Sequence, residues 1–248
     1  MNKAIITLLS KAISDQALNS SYPNKCPDKI FGTYDANARI GSKFKHEERD
    51  IGLNGHEYAI ILVLESPNKD EFDSNKQGIG PAQGKTGKNI KTYLEEIFES
   101  YSYLLKNKIY DIVLINAIQL QCSLGIDTLL YRDAMFLYHW EQEKYRIDFR
   151  ERFEKILKNY SKGGIIINCC TKGKHNDFLT YHVGSVCKKY LNEIGFDYSY
   201  NVATLQGMVE KEIKKSISEE KNWKNFVSTH PASWNRNKRN RRIKKKLK

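Results

Sequence analysis

The chain has 248 residues, a formal charge of +12 and an isoelectric point near 9.3, with 40% hydrophobic and 28% charged residues. This balance excludes a disordered or fibrous chain and fits one large α/β domain or two small ones. No run reaches the ~20 apolar residues of a membrane helix, and the charge favours an anionic partner.

The charge is uneven. Arg236 to Lys248 holds nine Lys/Arg and no acid, so the rest of the chain carries only 12 − 9 = +3. The five cysteines, Cys26, Cys122, Cys169, Cys170 and Cys187, are odd in number and form no CxxC pair. Reduced thiols in a cytosolic protein are expected, with no zinc ribbon and no disulfide frame. The short apolar run Ala4–Leu9 is followed by Lys11, Asp15 and Gln16, which reads as an amphipathic helix and not a signal peptide.

In chain order, Ile5, Leu8, Leu9, Ile13 and Ala17 recur at helical spacing, so residues 2–18 are expected to be a helix. Residues 19–56 are rich in Asn, Gly, Pro, Asp and Lys and read as an irregular charged entry segment. Tyr58–Leu64 is a near-continuous apolar run, the pattern of a buried parallel strand. It runs into Glu65-Ser66-Pro67-Asn68 and a glycine-rich loop, after which Thr86–Leu105 shows a helical apolar face.

Tyr110–Ala117 reads as a second buried strand, residues 128–160 as roughly helical, and Ile165–Cys169 as a third strand. A helix near Asp177–Ile194, an edge strand over Gly195–Val202, a helix over Thr204–Ser218 and a last strand over Asn225–Thr229 complete the body. Strands alternating with helices imply a parallel sheet covered on both faces. The simplest division is one α/β domain over residues 1–235 and a basic tail over residues 236–248.

Three polar residues, Glu65, Asn116 and His230, fall at the C-terminal ends of expected strands. In a parallel sheet those ends open on one side, so the three can share a cleft.

Their surroundings carry a resemblance. Glu65-Ser66-Pro67-Asn68 looks like the first motif, G-E-A-P-G, of the iron–sulfur branch of the uracil-DNA glycosylase superfamily. The loop GPAQGKTGKNI, residues 80–90, is similar to that branch's aromatic-V-G-R-A-G-x-L-L segment. Leu114-Ile115-Asn116-Ala117 with Gln121-Cys122 resembles T-N-V-V-K-C-R, and Thr229-His230-Pro231-Ala232-Ser233-Trp234-Asn235-Arg236 resembles H-P-A-x-x-x-R. The four segments keep the family's order.

The resemblance implies a three-layer sandwich with a mostly parallel central sheet, and a monomeric enzyme that flips a pyrimidine out of DNA and hydrolyses its glycosidic bond. Glu65 would stabilise the oxocarbenium-like sugar or position water, with Ser66 as a second water ligand and Asp70 or Glu71 as substitutes on the same loop. His230 would donate to the departing base, and Asn116 would read its edge. Pro67, Asn68, Asp70, Gly80, Pro81, Ala82, Gln83 and Ser233 would border the base, and Trp234 would wedge into the vacated stack. Arg236, Lys238 and Arg239 would meet DNA phosphates.

The departures from the family sharpen the expectation. Cys26 and Cys122 match two cluster ligands, but the N-terminal CxxC partner and the fourth cysteine are missing, so no metal and no cofactor are expected. Pro81-Ala82-Gln83 lacks the stacking aromatic, and Asn68 stands where the uracil-specific branch has a tyrosine that blocks C5 substituents. A roomier pocket and a C5-modified pyrimidine follow, and some relatives act on hypermodified phage bases as a defence.

Two rival readings remain. Gly84-Lys85-Thr86 ends like a P-loop, although the pattern needs glycine where Ile79 stands. A non-enzymatic nucleic-acid-binding module needs only the charge, and it leaves the three strand-end residues unexplained.

Overall fold

A computed structural model describes residues 24–52, 55–122, 132, 136, 139, 140, 142–171 and 204–245. The expected helices over 2–18 and 177–194 and the expected strand over 195–202 lie outside the described residues, as does most of 123–141.

Among the described residues, seven strands form one sheet: β1 (Lys29–Asp35), β2 (Phe44–Asp50), β3 (Tyr58–Leu64), β4 (Ile109–Asn116), β5 (Gly164–Asn168), β6 (Trp223–Val227) and β7 (Lys244–Lys245). Their spatial order is β2-β1-β4-β3-β5-β6-β7. The four central strands β4, β3, β5 and β6 run parallel. The flanks are antiparallel, β1 to both β2 and β4, and β7 to β6. The protein is thus an α/β protein with a mixed sheet built around a parallel centre.

The continuous apolar run of β3 has a simple cause. Side chains alternate between the faces of a strand, and here both faces are covered. Ile60, Leu62 and Leu64 point to one core, where Ile90, Leu94 and Phe98 of helix α1 (Lys85–Ser100) pack on them. Ala59, Ile61 and Val63 point to the other, closed by Phe149 and Phe153 of α2 (Glu143–Asn159) and by Leu205, Val209 and Ile213 of α3 (Leu205–Ser216).

Two expectations change. The segment over 19–56 is not irregular throughout, because it contains the β1–β2 hairpin that extends the sheet. The basic segment after residue 235 is no loose tail over its described length. It forms a short 3-10 turn, Lys238–Arg241, and then pairs as β7 with β6. Ser228 Oγ donates to Arg242 O (3.0 Å), and Asn240 Nδ2 donates to Ser233 O (3.0 Å).

Candidate active site

Leu64 pairs with Asn116, Val63 with Asn168, and Asn168 with Val227, so the C-terminal ends of β3, β4, β5 and β6 lie side by side. Residues at or after the ends of β3, β4 and β6 converge on one cavity of about 250 Å³. Glu65, Ser66, Asn68, Asp70, Asn116 and His230 all line it, joined by Glu71, Arg132 and the helix start Gly84-Lys85-Thr86. The volume lies just below the ~300–1,000 Å³ of drug-sized pockets, enough for about one base or one sugar phosphate.

Glu65 is 1% exposed and fully engaged. Arg132 Nε meets Oε1 at 2.8 Å, and the N–H and hydroxyl of Thr171, just after β5, donate to Oε2. A cation and two donors hold this carboxylate as a fixed negative charge.

His230 caps the turn Pro231–Ser233, and its Nδ1 accepts the Ala232 N–H at 3.2 Å. With Nδ1 used as an acceptor, the ring proton of the neutral form sits on Nε2. Desolvation, with Arg132 nearby, pushes the imidazole down to about 3. At neutral pH this histidine is therefore an uncharged donor of fixed tautomer. Asn89 of α1 holds the turn in place by donating from Nδ2 to Pro231 O (2.8 Å).

Glu71 adds a carboxyl that the sequence ranked only as a substitute. It is 5% exposed, on a 3-10 turn over Lys69–Glu71. Its Oε1 accepts the Ala82 N–H (2.9 Å), and its Oε2 accepts Asn116 Nδ2 (3.3 Å), with the Cys26 thiol at 3.9 Å. Burial, with Asp70 adding repulsion and these donors opposing it, pushes its pKa up to about 7. A carboxyl that titrates near neutrality in a cavity can take or give a proton during a reaction. Its position as the last acid of Lys69-Asp70-Glu71, three residues after Asn68, gave no sign of burial.

The loop at residues 80–83 does not line the cavity as expected. Gly80 (φ +140°), Pro81 and Ala82 are buried behind Glu71, and Gln83 is exposed, donating to Glu48 (3.3 Å). Ala82 holds φ +64°, a left-handed conformation costing about 1 kcal/mol that presents its N–H to Glu71. Gly87 permits this packing, because a Cβ there would lie 1.8 Å from Ala82 O. The cavity instead receives the start of α1, which has no side-chain cap and no acid in its first turn. Such a terminus offers free N–H groups to an anion.

Pro67 is buried and shapes the loop without lining the cavity. Trp234 is not a wedge. It is 2% exposed in the α1-side core, and its Nε1 donates to Thr229 O (3.1 Å), so neither its ring nor its polar edge is available to a DNA stack. Ser233 is likewise structural, its hydroxyl donating to His230 O (2.8 Å). Arg236, Lys238 and Arg239 are exposed on the segment that follows the His230 turn.

Among the described residues, no group of three or more His, Cys, Asp or Glu is placed to hold a metal ion, and no helix is long and apolar enough to cross a membrane. Cys26, Cys122, Cys169 and Cys170 are buried free thiols. Comparison of the chain with family models, curated proteins and solved structures finds no match.

Proposed function

We propose that the chain is a monofunctional DNA glycosylase of the uracil-DNA glycosylase type, which excises a flipped pyrimidine, C5-modified in preference to plain uracil, and leaves an abasic site. The observation that carries this reading is the pairing in one base-sized cavity of a fixed carboxylate, Glu65, with a neutral, Nε2-protonated histidine, His230.

Each group matches one half of the reaction. As the C1′–N1 bond breaks, its electron pair leaves on the base and positive charge grows on the sugar. The Glu65 carboxylate favours that cation, and His230 Nε2–H donates to the pyrimidine oxygen where negative charge collects. Water adds its oxygen to C1′, and its proton ends on the released base. The Ser66 hydroxyl is buried in the same cavity without a nitrogen or oxygen partner, so it can hold that water. Nothing larger than Asn68 stands beside the motif proline, which leaves room at C5.

Arg236, Lys238 and Arg239 would supply phosphate contacts beside the cavity. One observation also favours a nucleotide-binding enzyme as a second reading: the uncapped helix start Gly84-Lys85-Thr86 opens on the cavity. In the glycosylase reading the same N–H groups take the phosphate next to the flipped base. A titration with ATP that stabilises the protein in the absence of DNA would favour the second reading.

The direct test incubates the protein with oligonucleotides carrying a panel of modified pyrimidines and then adds hot alkali, which breaks strands at abasic sites. Breakage is expected, falling about 10²–10³-fold for His230→Ala, the usual cost of losing one such donor. No breakage on any substrate would reject the glycosylase reading, and activity on uracil alone would reject the preference for C5 substituents.

A further inference from the structure

The Asn116 amide is oriented by its neighbours. Glu71 Oε1 is occupied by the Ala82 N–H, and Oε2 faces Asn116 (3.3 Å) and the Cys26 thiol (3.9 Å). An ionised carboxylate can only accept, so the Asn116 amide nitrogen has to point at it. Asn116 Oδ1 is then left over. It belongs to a fully buried residue that lines the cavity, and it has no hydrogen bond.

A buried acceptor without a partner is uncommon in a folded protein and calls for a donor from outside. Asn68 Oδ1 is a second such acceptor in the same wall, joined to Glu71 through the Glu71 N–H donated to Asn68 O (3.0 Å). This wall, Asn68-Glu71-Asn116, thus offers acceptors to whatever enters.

A uracil edge has one N–H flanked by two carbonyl oxygens. An asparagine reads it with both ends of its amide, the oxygen on N3–H and the nitrogen on O4. Here both hydrogens of that nitrogen have partners behind the cavity wall, Glu71 Oε2 (3.3 Å) and the Cys26 sulfur (3.7 Å). The 4-amino group of a cytosine instead brings two N–H donors, one for each of the two waiting oxygens.

We propose that the base read by this cavity carries an exocyclic amino group: a cytosine, with or without a C5 substituent, whose 4-amino N–H donates to Asn116 Oδ1. The inference rests on the glycosylase reading and names the substrate class for the same site. Glu71 acts in it as a positioning residue, fixing which end of the Asn116 amide faces the base.

The experiment uses matched substrates differing only in the 4-substituent: cytosine against uracil, 5-methylcytosine against thymine, and 5-hydroxymethylcytosine against 5-hydroxymethyluracil. Each is placed in single-stranded and duplex oligonucleotides and assayed at pH 8, where Glu71 is ionised. The amino member of each excised pair is expected to react at least about tenfold faster, the equivalent of one hydrogen bond. Equal rates, or a faster keto member, would overturn the amino assignment while leaving the glycosylase reading intact. Excision of no member, amino or keto, together with none across the wider panel, would remove both.

Glu71→Gln supplies the sharper control. The Ala82 N–H still needs an acceptor, so the new amide turns its nitrogen toward Asn116, and Asn116 must turn its own nitrogen to the cavity. The ratio within each pair is expected to shift toward the keto member. An unchanged ratio in a folded variant would overturn the positioning role, and the wild-type ratio decides the amino assignment if the variant does not fold.

Discussion

Two buried carboxylates, one near each end of β4, show how little burial alone says about function. Asp111, near the start of β4, is fully buried, and it is paired with Arg49, the His56 N–H (3.0 Å) and the Tyr160 hydroxyl (3.0 Å). Glu71, beside the end of the same strand, is almost as buried, yet its partners are a backbone N–H, an amide and a thiol. Asp111 has a cation and a full set of donors, so it fastens β2 and α2 to the sheet. Glu71 has no cation among its described partners and borders a cavity with waiting acceptors. The partners, and what they leave unsatisfied, separate an acid that fastens the fold from one that borders a candidate site.

The contrast can be broken in order of effect. Asp111→Ala strands the Arg49 charge and should lower stability by about 3–5 kcal/mol in urea unfolding. Excision per folded molecule should be unchanged, and a loss of excision in the folded variant would tie Asp111 to the site.

Glu71→Gln should act in the opposite direction, with a pH signature. The folded protein raises this carboxyl from an ordinary 4.5 to about 7, so ionising it costs stability. That stability is fully present below about pH 4.5 and is lost as pH rises through 7. The variant, which never ionises, should be more stable by up to ~3 kcal/mol at pH 8, with no such gain below pH 4.5. A difference that ignores pH would mean that Glu71 is already paired like Asp111.

Tyr160→Phe removes one of three donors to Asp111 and should cost about 1.5 kcal/mol in the same assay. Replacing Arg236, Lys238 and Arg239 together by alanine should leave stability almost unchanged, because all three are exposed. It should flatten the dependence of log Kd for DNA on log salt by roughly 0.9 for each phosphate that is no longer neutralised. An unaltered slope would place the DNA elsewhere.

The parallel centre was legible because its strands are covered on both faces, which leaves continuous apolar runs at Tyr58–Leu64 and Ile109–Asn116. For the same reason Glu65, Asn116 and His230 fall together on sequence grounds alone. The β1–β2 hairpin was not legible. Strand β2, FKHEERD, is an edge strand with only Phe44 buried, and β1 shifts register between Ile30 and Gly32, where a Cβ on Gly32 would meet Lys45 O at 2.2 Å. No alternation survives such a shift. Glu71 escaped because its burial comes from the loop at residues 80–82 folding behind it, a long-range event with no local signature. Trp234 was visible as an aromatic next to His230, but the direction of its ring depends on the α1-side core and on Thr229 O.

The fastening of the C-terminal segment has a practical side. A run so rich in Lys and Arg invites trimming to improve handling, since it looks dispensable. Yet Asn240 holds the Ser233 carbonyl, Arg241 donates to Trp234 O (3.0 Å), and β7 pairs with the strand that leads to His230. Cutting the chain after residue 235 would release the histidine turn along with the charge. An inactive shortened protein would then say nothing about whether DNA touches that segment, and only side-chain replacement can separate that question from the segment's part in the fold.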